Sequence, residues 1–152
     1  MPSLERTLAE PQAAGLYRLP ARAPLARVAR AAASTGRDLY TLDGVSSAAK
    51  AAFLRACATA LAFPAYFGRN WDALQDCLTD LAWTPPRGRV ILIAHAAAWL
   101  AQAPADRQTA LDILAFAVAY WRPTPTPLWV LLHGAGRGFP AIPLLGAGPE
   151  AD

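Results

Sequence analysis

Three carboxylates spaced by four residues, Asp72, Asp76 and Asp80, are the first feature of this chain that could do chemistry. On a helix that spacing puts them on one stripe, with Leu74, Cys77, Leu78 and Leu81 on the opposite, apolar stripe. Like charges at i, i+4 repel by roughly a few tenths of a kcal/mol per pair. Asp72, near the expected helix start, is favoured by the helix dipole, and Asp80, near the end, is not. Ordinary surface helices intersperse bases, yet none stands between Arg69 and Arg87. Tyr66, Phe67 and Trp71 flank the stripe around a turn at Gly68. Aromatics beside carboxylates suit the centre of a protein interface, where a few anchors dominate the binding energy. A solvated helix face with core aromatics has the same composition, so spacing alone leaves both readings open.

Other reactive side chains are sparse. His95 and His133, the only histidines, sit at strand ends, and packing or solvation explains both. Cys57 and Cys77 fall on apolar helix faces and read as buried free thiols of a reducing compartment. The run Gly134-Ala135-Gly136-Arg137-Gly138 lacks the helix start that a phosphate loop requires, because Phe139-Pro140 follows. Arg22, Arg27 and Arg30 are unevenly spaced with no aromatic platform, which suits a solvated face better than a nucleic-acid surface. No catalytic residue, metal ligand or cofactor site is assigned, and no enzyme activity or direct nucleic-acid contact is expected.

The elements that must hold the acidic stripe come next. A chain of 152 residues suits one domain with its own core. Much of the 55% hydrophobic fraction is alanine, and charged residues are only 16%. The net charge of +3 is unevenly spread. Residues 1–37 carry six arginines against Glu5 and Glu10, whereas residues 70–84 carry only the three aspartates. The start, MPSLERTLAEP, has acidic residues and no apolar segment of the signal-peptide kind. The apolar stretch 90–103 is too short to span a bilayer. A cytoplasmic protein is expected.

Residues 1–14 read as loose. Gly15–Leu19 is a short strand if it joins the sheet, and Leu25–Ala33 is an Ala-rich helix closed at Thr35-Gly36. Asp38–Leu42 alternates as a strand does, and Asp43-Gly44 turns the chain. Ser46 or Ser47 is expected to cap a helix over 48–62 that ends before Pro64. A second helix is expected over 69–82. Val90–Ala94 is a continuous apolar run, as for a central parallel strand. A short helix follows over 95–103. Asp106–Trp121, apolar nearly all round, is expected to be well buried. Leu128–Leu132 is the last strand, and residues 134–152 read as a Gly/Pro-rich tail. Strands separated by helices imply crossover connections. The fold class is α/β, a small parallel sheet of three strands, or four if residues 15–19 join, packed with helices.

The segment 63–83 carries a more specific signal. Pro64, Tyr66, Phe67, Gly68, Asn70, Asp72-Ala73-Leu74 and Asp76-Cys77-Leu78-Thr79 follow the pattern of the signature loop and second helix of the barstar family, inhibitors of the secreted ribonuclease barnase. The order of elements from residue 38 to 133 resembles the family as well. The resemblance implies a barstar-like domain over 38–133, an N-terminal extension over 1–37 with an added strand and helix, and a tail over 134–152.

It also implies a mechanism, in which helix and loop plug a nuclease active site with carboxylates in the places of substrate phosphates. Carried over by residue, Asp76 is the central phosphate mimic and Asp72 a second charged contact. Tyr66 stacks on a catalytic side chain, and Gly68, Asn70, Gln75 and Thr79 complete the patch. The chain departs from the family at Gln75 and Leu81, where aromatics are usual, and over residues 113–121, which lack the family's late acidic contact. It is basic overall, where the inhibitor that gives the family its name is acidic. These departures bear on the partner more than on the fold. The expected function is therefore that of a bacterial immunity-type protein or antitoxin, monomeric when free, that blocks a ribonuclease or related toxin. The alternative is a protein-binding module of the same fold whose partner is not a nuclease.

Overall fold

Two apolar runs without alternation, Arg89–Ala94 (β3) and Leu128–His133 (β4), become the two central strands, and every residue in both is buried. The edges are β1 (Leu16–Leu19) beside β4 and β2 (Asp38–Asp43) beside β3. In this computed structural model, which describes residues 2–146, all four strands are parallel in the order β1-β4-β3-β2. Residues 15–19 thus supply the fourth strand.

A parallel strand buried on both faces needs a layer on each side. Alternate side chains divide accordingly. Val90, Leu92, Trp129 and Leu131 face a layer made by α1 (Leu4–Ala9) and α2 (Leu25–Ser34). Ile91, Ile93, Leu128, Val130 and Leu132 face a thicker layer. It contains α3 (Lys50–Ala60), α4 (Trp71–Leu78), α5 (Ala96–Leu100) and α6 (Pro104–Trp121).

The thinner layer differs from expectation at both ends of the chain. Residues 4–9 are helical rather than loose. Ser3 caps α1 through Arg6 N at 3.1 Å, and Leu4 and Leu8 are fully buried. Six residues are too few to hold a helix by propensity, so packing holds this one. The indole of Trp129 donates to Thr7 O at 3.0 Å, and the Arg27 guanidinium grips Glu5 at 2.8 and 2.9 Å. That guanidinium holds the Glu5 carboxyl below its ordinary range. Residues 134–146 are not a free tail. Leu145 is buried, Arg18 N donates to Pro143 O at 2.7 Å, and Leu145 N donates back to Arg18 O at 2.9 Å. This segment covers the outer edge of β1. Residues 147–152, also read as tail, lie outside the described residues.

The thicker layer also departs in detail. Neither Ser46 nor Ser47 caps α3. Its N-cap is Ala49, with no side-chain bond, and Ser47 is buried with its amide on Asp43 O at 3.1 Å. Helix α6 is not buried all round. Its inner face packs through Leu111, Leu114, Ala117 and Val118, while Phe116 and Tyr120 stay about half exposed on the outside. An outermost helix has a neighbour on one side only, whatever its composition.

Candidate functional site

The aromatic loop between α3 and α4 is positioned from its start. Helix α3 ends in a Schellman motif, with Phe63 N on Ala58 O at 2.9 Å and Ala62 at the left-handed position (φ 52°). The chain then turns over Pro64–Phe67, where Phe67 N donates to Pro64 O at 3.0 Å. Phe63 packs edge-on against Phe67 (ring centroids 4.9 Å) and Trp83 (6.0 Å), and the Trp83 indole donates to Leu61 O at 2.8 Å. These three rings pin the loop from beneath. Tyr66, on the outside of the turn, is left 69% exposed, unusual for so large an aromatic and open for contact.

Helix α4 is short and held at both ends. The Asn70 side chain accepts from Ala73 N at 2.8 Å and so caps its start. Trp71 is half-buried against Phe53 (centroids 6.3 Å), and the Lys50 ammonium lies 5.4 Å from its ring centroid. Leu74, Cys77 and Leu78 face the core, and the Trp121 indole of α6 donates to Leu78 O at 2.7 Å. Burial first, then Asp80 and Asp76, raise the Cys77 thiol above its ordinary range. Cys57 and Cys77 are both free and buried.

The helix stops at Leu78, four residues before its expected end. Thr79 is the C-cap and its hydroxyl donates back to Gln75 O at 2.9 Å. Leu81 then turns left-handed (φ 50°) to bury its side chain completely. Asp72 and Asp76 therefore share an exposed face one helical turn apart, but Asp80 leaves the stripe. It sits in the following turn, exposed, with the Tyr66 hydroxyl at 3.4 Å in a long, weak hydrogen bond.

The residues singled out in the sequence thus come together on one surface in two groups. Tyr66, Gly68, Asn70, Asp72 and Asp76 are exposed, whereas Gln75 and Thr79 are half-buried. Asn70 and Thr79 are partly committed to the backbone through the bonds above.

One positioning residue escaped the sequence reading. Arg89 is 3% exposed at the start of β3. Its Nε donates to Thr84 Oγ1 at 2.8 Å, an Nη reaches Pro85 O at 3.3 Å, and its guanidinium lies 4.9 Å from the Trp121 ring centroid. It ties the turn after α4 to the sheet and to α6. The only signal was a base directly before an apolar strand run.

The two histidine rings meet edge-on with centroids 5.5 Å apart, His133 buried and His95 exposed. His133 accepts from His95 N at Nδ1 (3.3 Å), and its Nε2 lies 3.0 Å from Ala23 O, so Nε2 carries the proton. Together they tie the ends of β3 and β4 to the loop after β1. Among the described residues no helix follows the 134–138 glycine run.

The fold and this face define a class: an α/β protein that presents exposed carboxylates and an exposed aromatic on a braced loop and helix. The model of the Barstar (barnase inhibitor) family matches residues 37–133, and the chain belongs to that family. No curated protein sequence matches it. Among solved structures it is similar to the Walker-type ATPase of Pyrococcus abyssi, with TM-score 0.54 and 13% identity, over 87% of this chain. The chain spans 44% of that ATPase's length, and the likeness is one of fold alone. Among the described residues no helix is long and apolar enough to cross a membrane.

Proposed function

We propose that this protein is an inhibitor that inserts α4 and the loop before it into the active site of a ribonuclease or related toxin in the cytoplasm. The observation that carries the reading is the pair of exposed carboxylates, Asp72 and Asp76, on a helix braced behind by Trp71, Leu74 and Leu78. A nuclease site gathers cations to hold phosphate. Two carboxylates one turn apart, with no base on the same helix, offer such cations partners of the right sign. In this reading Asp76 takes the central phosphate place and Asp72 the neighbouring one. Tyr66 lies flat on a catalytic side chain, and Gly68, Asn70, Gln75 and Thr79 line the contact.

The test is calorimetric titration with barnase-type ribonucleases, beginning with any encoded in the same genome, using the natural chain and Asp76→Ala. Truncating one member of a buried interfacial charge pair costs about 2–5 kcal/mol, a range to which the barnase–barstar pair itself contributes. Tight binding that weakens by that amount in a folded variant supports the proposal. Equal affinity in both removes Asp76 from the site.

One observation favours the second reading, a binding module whose partner is not a nuclease. Tyr120 and Phe116 stand exposed on α6, on a helix that carries no carboxylate beyond Asp112. A partner covering them would bring apolar groups where a nuclease brings a cation. Affinity purification that recovers only non-nuclease proteins would favour this reading.

A further inference from the structure

A cavity that the inhibitor reading leaves unused lies at the carboxyl end of the sheet. The chain leaves β1 for α2 on one face and β3 for α5 on the other, so the crossovers part at β4, which lies between those strands. In open parallel sheets, small molecules bind in the crevice outside the strand ends at such a switch point. Here a cavity of about 290 Å³ opens between the end of β1 and the loop after β4. That is near the lower end of ligand-sized cavities, roughly 300–1,000 Å³, so any occupant is small.

Its walls carry two kinds of group. Leu19, Pro20, Ala21 and Leu144 make an apolar side. Arg18 and Arg137 bring charge, and among the described residues no carboxylate lines the cavity. Arg18 is held by two backbone carbonyls, with Nε donating to Ile142 O at 2.7 Å and Nη1 to Gly136 O at 3.0 Å. Its Nη2 donates to no group among the described residues. The exposed Arg137 guanidinium has no hydrogen bond or ion pair among them. The loop adds donors of its own. Gly134 and Gly136 are left-handed (φ 70° and 77°), and the amides of Ala135, Gly136 and Arg137 find no acceptor among the described residues. Successive free amides in a turn of this kind suit an anion. The arrangement differs from a phosphate loop, which leads into a helix. One unpaired surface arginine is ordinary. Two guanidiniums and three amides with unused donors beside one cavity form a surplus that an anion satisfies.

We propose that this cavity binds a small organic phosphate monoester. The phosphate sits between Arg18 and Arg137. It carries about two negative charges at neutral pH, which match the two guanidiniums better than a single carboxylate does. The Arg18 fork is already aimed by its two carbonyl partners, so its Nη2 engages an oxygen with little further ordering. The organic body lies against Leu19, Pro20, Ala21 and Leu144, out of water. The site is independent of the proposed inhibitor role, because none of its residues belongs to the loop or helix at 63–83.

The experiment is a titration of the full chain with phenyl phosphate, followed by the amide shifts in two-dimensional NMR. An ionic strength of about 0.15 M screens loose attraction to the arginine-rich surface. Saturable shifts are expected at Arg18, Leu19, Ala21 and residues 134–137, with a dissociation constant of about 1 mM or below. Inorganic phosphate lacks the apolar body and benzoate lacks the second charge. Each is expected to bind at least about tenfold more weakly. Arg18→Lys keeps the charge but loses the fork, and it also loosens the loop. Arg137→Glu is therefore the decisive variant, since its side chain is exposed and has no bond to lose. It is expected to abolish saturation while the rest of the spectrum stays that of the folded chain. No saturable shift up to about 10 mM overturns the proposal. So does undiminished binding in Arg137→Glu, or equal affinity for phenyl phosphate and either control. Phosphatidic acid vesicles present the same monoester on a lipid. Co-sedimentation with them that needs Arg137, while phenyl phosphate is silent, overturns the small-molecule assignment.

Discussion

Asn70 separates two roles that sequence cannot. The family resemblance places it in the contact patch, yet its side-chain oxygen is spent on Ala73 N at 2.8 Å as the N-cap of α4. In Asn70→Ala that bond is lost and an amide at the helix start must turn to water. Loss of such a cap costs about 1 kcal/mol, within a range of roughly 0.5–2. Helix α4 has only eight residues, so few backbone bonds share the load at its start, and the upper half of the range is expected although Trp71 and Leu74 pack beneath the first turn. Asn70→Asp keeps the acceptor and adds charge at the positive end of the helix dipole, worth about 0.3–1 kcal/mol. It stands two residues from Asp72, where side chains do not face each other, so repulsion offsets little of that gain. Urea denaturation followed by tryptophan fluorescence reads both variants. The midpoint of Asn70→Ala should fall with an unchanged slope, and that of Asn70→Asp should stay at or above the natural value. An unchanged midpoint in Asn70→Ala, or an equal fall in both, refutes the capping argument. Binding to a cognate toxin then divides the effect. A cap alone predicts that Asn70→Asp binds nearly as well as the natural chain, whereas a direct amide contact predicts that it fails.

Two further expectations concern stability. Leu8→Ala should cost about 2–5 kcal/mol in denaturant titration, as for a fully buried leucine, whereas a loose N-terminus would make it silent. Burial raises the Cys57 thiol above its ordinary range. The unfolded chain therefore loses that proton above about pH 8.5 while the folded chain keeps it. The contribution is fully present below that pH and fades as pH rises, at about 1.4 kcal/mol per pH unit for the one thiol. Cys57→Ala should flatten the alkaline slope measured between about pH 8.5 and 10, and an unchanged slope would remove Cys57 from the account.

The strands and the acidic helix were legible because each is written in local pattern. Residues 90–93 have no polar member, as is expected of a short strand covered on both sides. The motif from Pro64 to Thr79 fixes residue types at a spacing that few other segments share. Where the reading missed, the information was long-range. Leu4 and Leu8 form too short a pattern to signal a helix, and they become one only because Trp129 and Val28 lie beneath them. Leu145 is a single apolar residue in a Gly/Pro-rich stretch, and the edge of β1 that orders its segment is more than a hundred residues away in sequence. Asp80 continues the four-residue spacing perfectly well. It leaves the stripe because burying Leu81 outweighs one more helical turn.

That last competition bears on how the face works. Of the four non-glycine residues with positive φ among the described residues, Ala62, Arg69 and Leu81 bracket the loop and helix of the candidate site. Each left-handed residue costs roughly 1–2 kcal/mol, and such strain persists only where the surroundings over-determine it. The surroundings here are specific: a Schellman closure at Ala62, the Asn70 cap just after Arg69, and complete burial of Leu81 with Arg89 holding the turn behind it. Folding thus sets the strained conformation before any partner arrives. A partner that meets Asp72, Asp76 and Tyr66 already in place orders fewer side chains and less loop on binding, and that ordering is a main cost of association. Strain stored at 62, 69 and 81 and offset by the core is therefore consistent with a surface built for tight, rigid docking. A merely solvated helix face would gain nothing from it.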